Sequence, residues 1–350
     1  MRKGAYWVGI VGAICSMLIA AAAQADSSGE ARAKSAAQPI LGSPAPRVTL
    51  KTIDGETIDL GGLYGKKAVY LKFWATWCVP CRQQMPHFEH AYETAGTDLA
   101  VIAINVGFND SLDAIQRYRK QLGITMPIVL DDGSLGAAFR LRVTPTHIVI
   151  GRDGRIQYVG HLADAQLDDA LKKARGRAGV LVAAGKGRAA VAMRETPSIA
   201  VGDALPAQSL RTIDGQRFSM RPLDSGRRFT ALVFLSPWCE SYLATSRPKV
   251  AENCRNMRMQ VSGLANDPRV RWLGVASGLW ADAADLRKYR QEQQVTIPLT
   301  LDASGNIFRE FRVNDVPTVL IADAHGKLLR RIEGDAASDP KTLTDALSNL

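Results

Sequence analysis

Cysteine is scarce in this chain, with five residues in 350. Cys78 and Cys81 form a C-x-x-C pair, and the sequence contains no second pair of this kind. A structural zinc site needs four ligands, usually two such pairs of Cys or His. His87 and His90 follow closely, but both lie on the helix predicted after Cys81. The sequence therefore argues against a metal site, and we expect no metal or other cofactor.

The excess of basic residues lacks the pattern of a nucleic-acid-binding surface. The formal net charge is +10, yet no stripe of basic residues interleaved with aromatics supports nucleic acid as a partner. Many basic residues fall in a Gly- and Ala-rich stretch at 176–195, which is typical of a linker. Contact of this stretch with an anionic membrane surface is an alternative to a solvated linker.

The N-terminus has the pattern of a secretory signal peptide. Arg2 and Lys3 precede an uncharged stretch, which ends in the small-x-small motif Ala23-Gln24-Ala25. We therefore expect residues 1–25 to direct the protein to the periplasm. An uncleaved membrane anchor is the alternative. Outside the cytoplasm cysteines can form disulfides, either structural or redox-active.

The Cys78–Cys81 pair stands where a β-rich run gives way to helical spacing of apolar residues. This context places both sulfurs at a helix N-terminus, where free backbone N–H groups and the helix dipole favour a thiolate. Thiol–disulfide exchange needs one attacking thiolate and a second thiol that releases the product. The sequence predicts Cys78 as the solvent-accessible attacking thiol and Cys81 as the resolving thiol.

The motif WATWCVPC at 74–81, followed by Pro86 and by VTPT at 143–146, resembles the thioredoxin superfamily of TlpA/ResA type. The resemblance covers 42–159 and implies an exported thiol–disulfide reductase, in some members serving cytochrome c biogenesis. It implies that Trp77 and Pro80 support the pair. It also implies that Pro145 is a cis-proline facing the pair, with Thr144 offering backbone hydrogen bonds to a bound protein substrate. A membrane thiol reductant is the implied electron source.

Two positions depart from this family pattern. Many ResA-type proteins carry Glu where this chain has Gln84, and thioredoxin carries a buried Asp where it has Lys72. The family's proton-transfer chemistry is therefore not carried over to this chain. His147, on a predicted strand, is interpreted as a packed or edge residue and not as a catalytic one.

The chain contains an internal repeat of a whole domain. LRTIDG at 210–215 repeats LKTIDG at 50–55, and SPWC at 236–239 aligns with ATWC at 75–78. The predicted fold is α/β, with two tandem thioredoxin-like domains, each a central mixed β-sheet flanked by helices. The expected boundaries are a tether at 26–40, a catalytic domain at 41–174, a linker at 175–197 and a degenerate domain at 198–350.

The second copy keeps one cysteine of the motif, Cys239, and has Tyr242 where the resolving cysteine would stand. A continuous helix from Cys239 to Cys254 would separate the two residues by about 22 Å, too far for a disulfide. Cys254 is therefore interpreted as a packed core thiol. The alternative is a helix break near Pro248 that lets the two cysteines pair. Cys239 is either a packing residue or a monothiol that captures a partner.

The leading functional hypothesis is a reductase of protein disulfides, in which the second domain helps to hold the substrate. A disulfide isomerase is the alternative within the same class. A binding or chaperone module with a structural Cys78–Cys81 bond is the alternative outside it. A thiol peroxidase fits less well, because Cys78 has Ala75 where a peroxidatic site has Thr or Ser.

Overall fold

The computed structural model describes residues 27–176, 198–221, 226–334, 336 and 339–350. The predicted signal peptide and nearly all of the predicted linker lie outside these residues. Within the described ranges, no helix combines the length and apolar character that a membrane crossing needs.

The first domain is built on a five-stranded mixed sheet with strand order β5-β4-β3-β6-β7. The central strand β3 runs parallel to β4 and antiparallel to β6, and all seven of its residues are buried. Helices on both faces explain why this strand is an almost continuous apolar run, interrupted only by Lys72. The strands are β1 Thr49–Lys51, β2 Thr57–Asp59, β3 Ala68–Trp74, β4 Leu99–Asn105, β5 Ile128–Leu130, β6 Thr146–Ile150 and β7 Ile156–Gly160.

The helical spacing predicted after Cys81 is confirmed, but the structure divides it into two helices, α3 and α4, at Gln84. Pro86 is the second residue of α4, a position where its missing N–H costs no helical hydrogen bond. The helices of the domain are α2 Leu60–Leu63, α3 Val79–Gln83, α4 Met85–Glu93, α5 Leu112–Leu122, α6 Ser134–Ala138 and α7 Ala165–Ala174.

The second domain repeats this topology, with strand order β12-β11-β10-β13-β14. The prediction of two α/β domains, each with a mixed sheet, is confirmed. Its strands are β8 Ser209–Arg211, β9 Arg217–Ser219, β10 Phe229–Leu235, β11 Val270–Ser277, β12 Leu299–Asp302, β13 Thr318–Asp323 and β14 Leu328–Glu333. Its helices are α8 Cys239–Ser246, α9 Pro248–Leu264, α10 Ala283–Glu292, α11 Asn306–Glu310 and α12 Thr342–Ser348.

The predicted tether is wrong for its described part, because residues 27–37 form a helix, α1. Ala33 and Ala37, one turn apart, are buried against the protein. The Glu30 carboxylate accepts the backbone N–H of His161 at 2.6 Å. On the same helix, Arg32 forms an ion pair with Asp285 of the second domain at 2.7 Å. The helix therefore contacts both domains.

The prediction of a continuous helix from Cys239 to Cys254 is also wrong. Arg247 lies between α8 and α9 with non-helical dihedral angles, φ −143° and ψ 64°. Pro248 accounts for this break, because a proline ring disfavours the α conformation of the residue before it. The chain folds back, the Cα atoms of Cys239 and Cys254 lie 6.3 Å apart, and the two residues form a disulfide.

Candidate active site

Cys78 is the N-cap residue of α3, directly after the loop that follows β3. Its sulfur is bonded to that of Cys81 and accepts a hydrogen bond from the Cys81 backbone N–H at 3.2 Å. Pro80 is the second residue of α3, a position that favours proline. Both sulfurs thus lie at a helix start, where the sequence pattern placed them, and the pair is in its oxidised state.

The expectation that solvent reaches Cys78 is wrong for this conformation. Cys78 is 1% exposed and Cys81 is fully buried. Trp77, also buried, stacks on Trp238 of the second domain with ring centroids 5.1 Å apart. The second domain therefore covers the Cys78–Cys81 pair in this conformation.

The loop predicted to face the pair lies at the same end of the sheet. Phe73 near the end of β3 pairs with Thr146 at the start of β6, so antiparallel pairing brings the preceding residues 144 and 145 beside the loop that carries Cys78. The Thr144–Pro145 peptide bond is cis, as the family resemblance implied. The Pro145 carbonyl accepts a hydrogen bond from His161 Nδ1 at 2.7 Å.

A buried polar network supports this arrangement at Gln84. The Gln84 side chain donates to the His161 carbonyl at 3.3 Å and accepts from His147 Nε2 at 2.7 Å. On its other side, His147 Nδ1 accepts from the Tyr70 hydroxyl at 2.7 Å. Burial lowers the pKa of His147 well below its usual value, so the ring is neutral near pH 7. Its position matches the interpretation of His147 as a packed residue.

Replacing Gln84 with alanine is expected to lower the free energy of unfolding by about 1–3 kcal/mol, because it leaves the buried His147 Nε2–H without an acceptor. Gln83→Ala, at the neighbouring exposed position, is the matched control and is expected to change stability by less than about 0.5 kcal/mol. Urea unfolding monitored by circular dichroism measures both. Equal effects of the two substitutions would contradict the structural role of the network.

Lys72 occupies the middle of β3 with no exposed surface. Its Nζ has no hydrogen-bond partner among the described residues and lies 5.3 Å from the Phe88 ring centroid. Burial lowers the pKa of Lys72 from 10.5 to about 7. This lysine therefore titrates near neutral pH.

A second polar group, Asp110, anchors the Cys78 loop to both domains. Its buried carboxylate accepts from the Thr76 backbone N–H at 2.7 Å, from Asn105 Nδ2 at 2.8 Å and from Arg247 Nη2 of the second domain at 3.1 Å. Arg247 Nη2 also donates to the Thr76 hydroxyl. Burial raises the pKa of Asp110 above its usual value.

The two domains contact each other through equivalent loops in a pseudo-two-fold arrangement. The Asn109 N–H, in the loop after β4, donates to the Asn314 carbonyl at 2.8 Å, three residues before the second domain's cis-proline, Pro317. In return, the Trp280 N–H, in the loop after β11, donates to the Arg142 carbonyl at 2.7 Å, three residues before Pro145. The domains therefore meet through the faces that carry their cis-proline loops.

Side chains at this interface form hydrogen bonds with the helix-start and cis-proline loops of the other domain. The Tyr242 hydroxyl accepts the Val79 N–H at 3.1 Å, and Trp280 Nε1 donates to the Thr144 hydroxyl at 3.3 Å. The Asn109 side-chain oxygen accepts the N–H of Val316 at 2.9 Å. Sequence analysis missed these roles. The one available signal was Tyr242, which the repeat aligns with Cys81.

Comparisons with known proteins identify the family to which the chain belongs. Residues 41–159 match the family model described as "AhpC/TSA family". The thioredoxin-like protein YneN of Bacillus subtilis (strain 168) is 35% identical over 133 residues, which are 37% of this chain and 78% of that protein. The chain belongs to this thioredoxin-like family.

Other relatives of this chain are named for thiol–disulfide exchange. The thiol-disulfide oxidoreductase ResA of the same Bacillus subtilis strain is 33% identical over 132 residues, covering 37% of this chain and 72% of ResA. A crystal structure of a thiol:disulfide interchange protein from Chlorobium tepidum TLS is 32% identical, covers 38% of this chain and 96% of that one, and has a TM-score of 0.35. The match to ResA identifies this family member as a protein thiol–disulfide oxidoreductase.

Among the described residues, no group of three or more His, Cys, Asp or Glu side chains is placed to hold a metal ion. His87, which follows the cysteine pair, instead contacts Asp168 of α7 at 2.9 Å.

Proposed function

We propose that this protein is an exported reductase of protein disulfides that acts through Cys78 and Cys81. The observation that supports this most is the disulfide between these residues at the start of α3, at the sheet end that carries the cis peptide bond before Pro145. In the reduced protein, the Cys78 thiolate attacks a substrate disulfide and forms a mixed disulfide, and one substrate sulfur leaves as a thiol. Cys81 then attacks the Cys78 sulfur, which restores the observed bond and releases the second substrate thiol.

The direction of the reaction is part of this proposal. The residues between the cysteines, Val79 and Pro80, carry neither a charge nor a side-chain donor that would stabilise a thiolate. Strong oxidants of thiols owe their high reduction potential to a stabilised reduced form, so this pair is expected to act as a reductant. A measured potential near −120 mV would contradict this expectation, and reactivation of scrambled ribonuclease would favour the isomerase alternative.

The second domain has a specific part in this function. Since Cys78 is 1% exposed under Trp77 and the second domain, a protein substrate reaches it only when the interface opens. Opening frees the Val79 N–H and Thr144, which Tyr242 and Trp280 contact in the closed form. We propose that the separated faces of both domains then hold the substrate chain, and that a membrane thiol reductant regenerates the dithiol.

Trapping distinguishes the roles of the two thiols. A full-length Cys81→Ser variant, expressed in its native envelope, is expected to accumulate mixed disulfides through Cys78, which non-reducing gels and mass spectrometry detect. Cys78→Ser is the matched control and is expected to trap little, because the remaining Cys81 is the more deeply buried resolving thiol. Equal trapping by both variants would contradict the assignment. Identification of the trapped proteins gives the substrates and tests export.

A further inference from the structure

The Cys239–Cys254 bond lies where an exchange site would lie in the second domain. Cys239 is the first residue of the eight-residue helix α8 and follows the loop after β10, as Cys78 follows β3. The Cys239 N–H donates to the Ser236 carbonyl, just as the Cys78 N–H donates to that of Ala75. Because the helix breaks at Pro248, Cys254 of α9 reaches the Cys239 sulfur. It takes the place of a second motif cysteine three residues after Cys239.

A cleft of the second domain leads to this bond. Cys254 lines it together with Pro317, whose peptide bond is cis, and with Ser236, Glu240 and Arg258. Cys254 is 8% exposed, whereas Cys239 is 1% exposed. Among the residues that the structure describes, none from the first domain lines this cleft. The disulfide is therefore approached from the Cys254 side, by a route separate from the domain interface that covers Cys78.

The cleft also contains an unused hydrogen-bond donor. Ser236 is 3% exposed, and its hydroxyl has no hydrogen-bond partner among the described residues. A buried hydroxyl without a partner is costly unless a ligand or a charged group uses it. It stands three residues before Cys239, in the cleft that Cys254 also lines. A thiolate formed when the disulfide opens would give this donor an acceptor.

We propose that Cys239 and Cys254 form a second thiol–disulfide exchange centre, which takes small dithiols and disulfides through this cleft. One thiolate of the small dithiol attacks the Cys254 sulfur, the S–S bond breaks, and Cys239 leaves as a thiolate at the start of α8. The second thiolate of the dithiol then attacks the dithiol sulfur that is bonded to Cys254. This closes a disulfide within the small molecule and releases Cys254 as a thiolate. The dithiol loses two electrons and two protons to the cysteine pair, and the reverse sequence reduces a small disulfide.

The size of the cleft sets the class of reactant. It holds a cavity of about 30 Å³, roughly two to three times the ~10–15 Å³ that one water molecule needs on the same measure. A slender thiol can bring one sulfur to Cys254 there, but a loop of a folded protein cannot. Geometry also assigns the roles of the two sulfurs. Cys239 is the leaving group, because a sulfur at a helix N-terminus is the better leaving group, and Cys254 is therefore the attacked sulfur.

The first test uses the unmodified full-length protein. Dithiothreitol is added at 0 and 1 M urea, samples are quenched with acid and alkylated, and mass spectrometry measures each cysteine peptide separately. The Cys239–Cys254 bond is expected to open in the folded protein, at a rate that 1 M urea changes by less than about twofold. A bond that opens only on unfolding would speed up by roughly fivefold or more, given an m-value of about 1–3 kcal/mol per M, and that result would overturn the proposal.

Two variants test the assignment of the sulfurs. With cystamine as the probe, Cys254 in the Cys239→Ser variant is expected to take up cysteamine roughly ten times faster than Cys239 in the Cys254→Ser variant, since thiol reactivity follows access. Uptake by neither variant in the folded state would overturn the proposal, and faster uptake by Cys239 would overturn the assigned attack. Because the peptides of the two pairs are read separately, failure here leaves the Cys78–Cys81 proposal standing.

Discussion

Replacing Arg247 with glutamate is expected to raise the rate at which iodoacetamide alkylates Cys78 in the reduced protein by about tenfold. Arg247 donates to the Asp110 carboxylate at 3.1 Å across the domain interface, and the Asp110 side chain is fully buried. The substitution removes this cation and places a second carboxylate near the first. Loss of one partner of a fully buried ion pair costs about 3–5 kcal/mol, and the cost is smaller here because the Arg247 side chain is 30% exposed. A tenfold effect needs only about 1.4 kcal/mol of that cost to fall on the closed state.

Arg330→Glu is the matched control, because Arg330 is an exposed arginine of β14 in the second domain. It makes the same change of charge and is expected to leave the alkylation rate of Cys78 within about twofold of the original. Mass spectrometry of the Cys78 peptide at several reaction times gives both rates. If Arg247→Glu leaves the rate unchanged, Cys78 is shielded by its own domain and the interface is not a barrier to substrate.

Replacing Lys72 with methionine is expected to stabilise the disulfide-bonded protein by about 2–4 kcal/mol at pH 7. Burial lowers the pKa of Lys72 to about 7, and each pKa unit corresponds to about 1.4 kcal/mol. Between about pH 7 and 10.5 the unfolded chain binds a proton here that the folded protein does not. The stability of the unsubstituted protein should therefore rise with pH in this window and be lowest below about pH 7. Methionine has a similar length and no charge to bury.

Urea unfolding at pH 7 and pH 9.5 tests this expectation. The difference in stability between Lys72→Met and the unsubstituted protein should shrink as the pH rises, because the lysine penalty disappears when the unfolded state also loses the proton. Lys66→Met, at an exposed position, should change stability by less than about 0.5 kcal/mol at either pH. A difference that does not depend on pH would show that Lys72 stays charged in the folded protein.

The features that the sequence predicted correctly are those with a local signal. The central strands β3, β4 and β6 are apolar runs, and the start of α3 is marked by the transition at the C-x-x-C motif. The repeat motif around Cys239 identified the second domain. The helix break before Pro248 also had a local signal, which is the proline itself. A continuous helix, however, places Cys239 and Cys254 too far apart, so the sequence interpretation did not favour the disulfide between them. Likewise, the spacing of Ala33 and Ala37 is helical, although the surrounding composition was interpreted as a tether.

The domain interface could not be predicted, because it depends on how two folded surfaces fit together. The repeat aligns Tyr242 with Cys81, but this alignment does not indicate that Tyr242 and Trp280 reach Val79 and Thr144 of the other domain. The burial of Cys78 follows from this docking, and a single-domain view places the residue at an exposed helix start. The sequence therefore placed the cysteine pair at a helix start but did not indicate that the second domain covers it.

The most direct test of the account is the rate at which the purified full-length protein reduces insulin disulfides with dithiothreitol as the electron source. The account predicts turnover above the uncatalysed rate for the unsubstituted protein and a fall to about the uncatalysed rate for Cys78→Ser, while Cys239→Ser keeps most of the activity because insulin does not fit the narrow cleft beside Cys254. Undiminished reduction by Cys78→Ser would contradict the central claim that Cys78 is the attacking thiol.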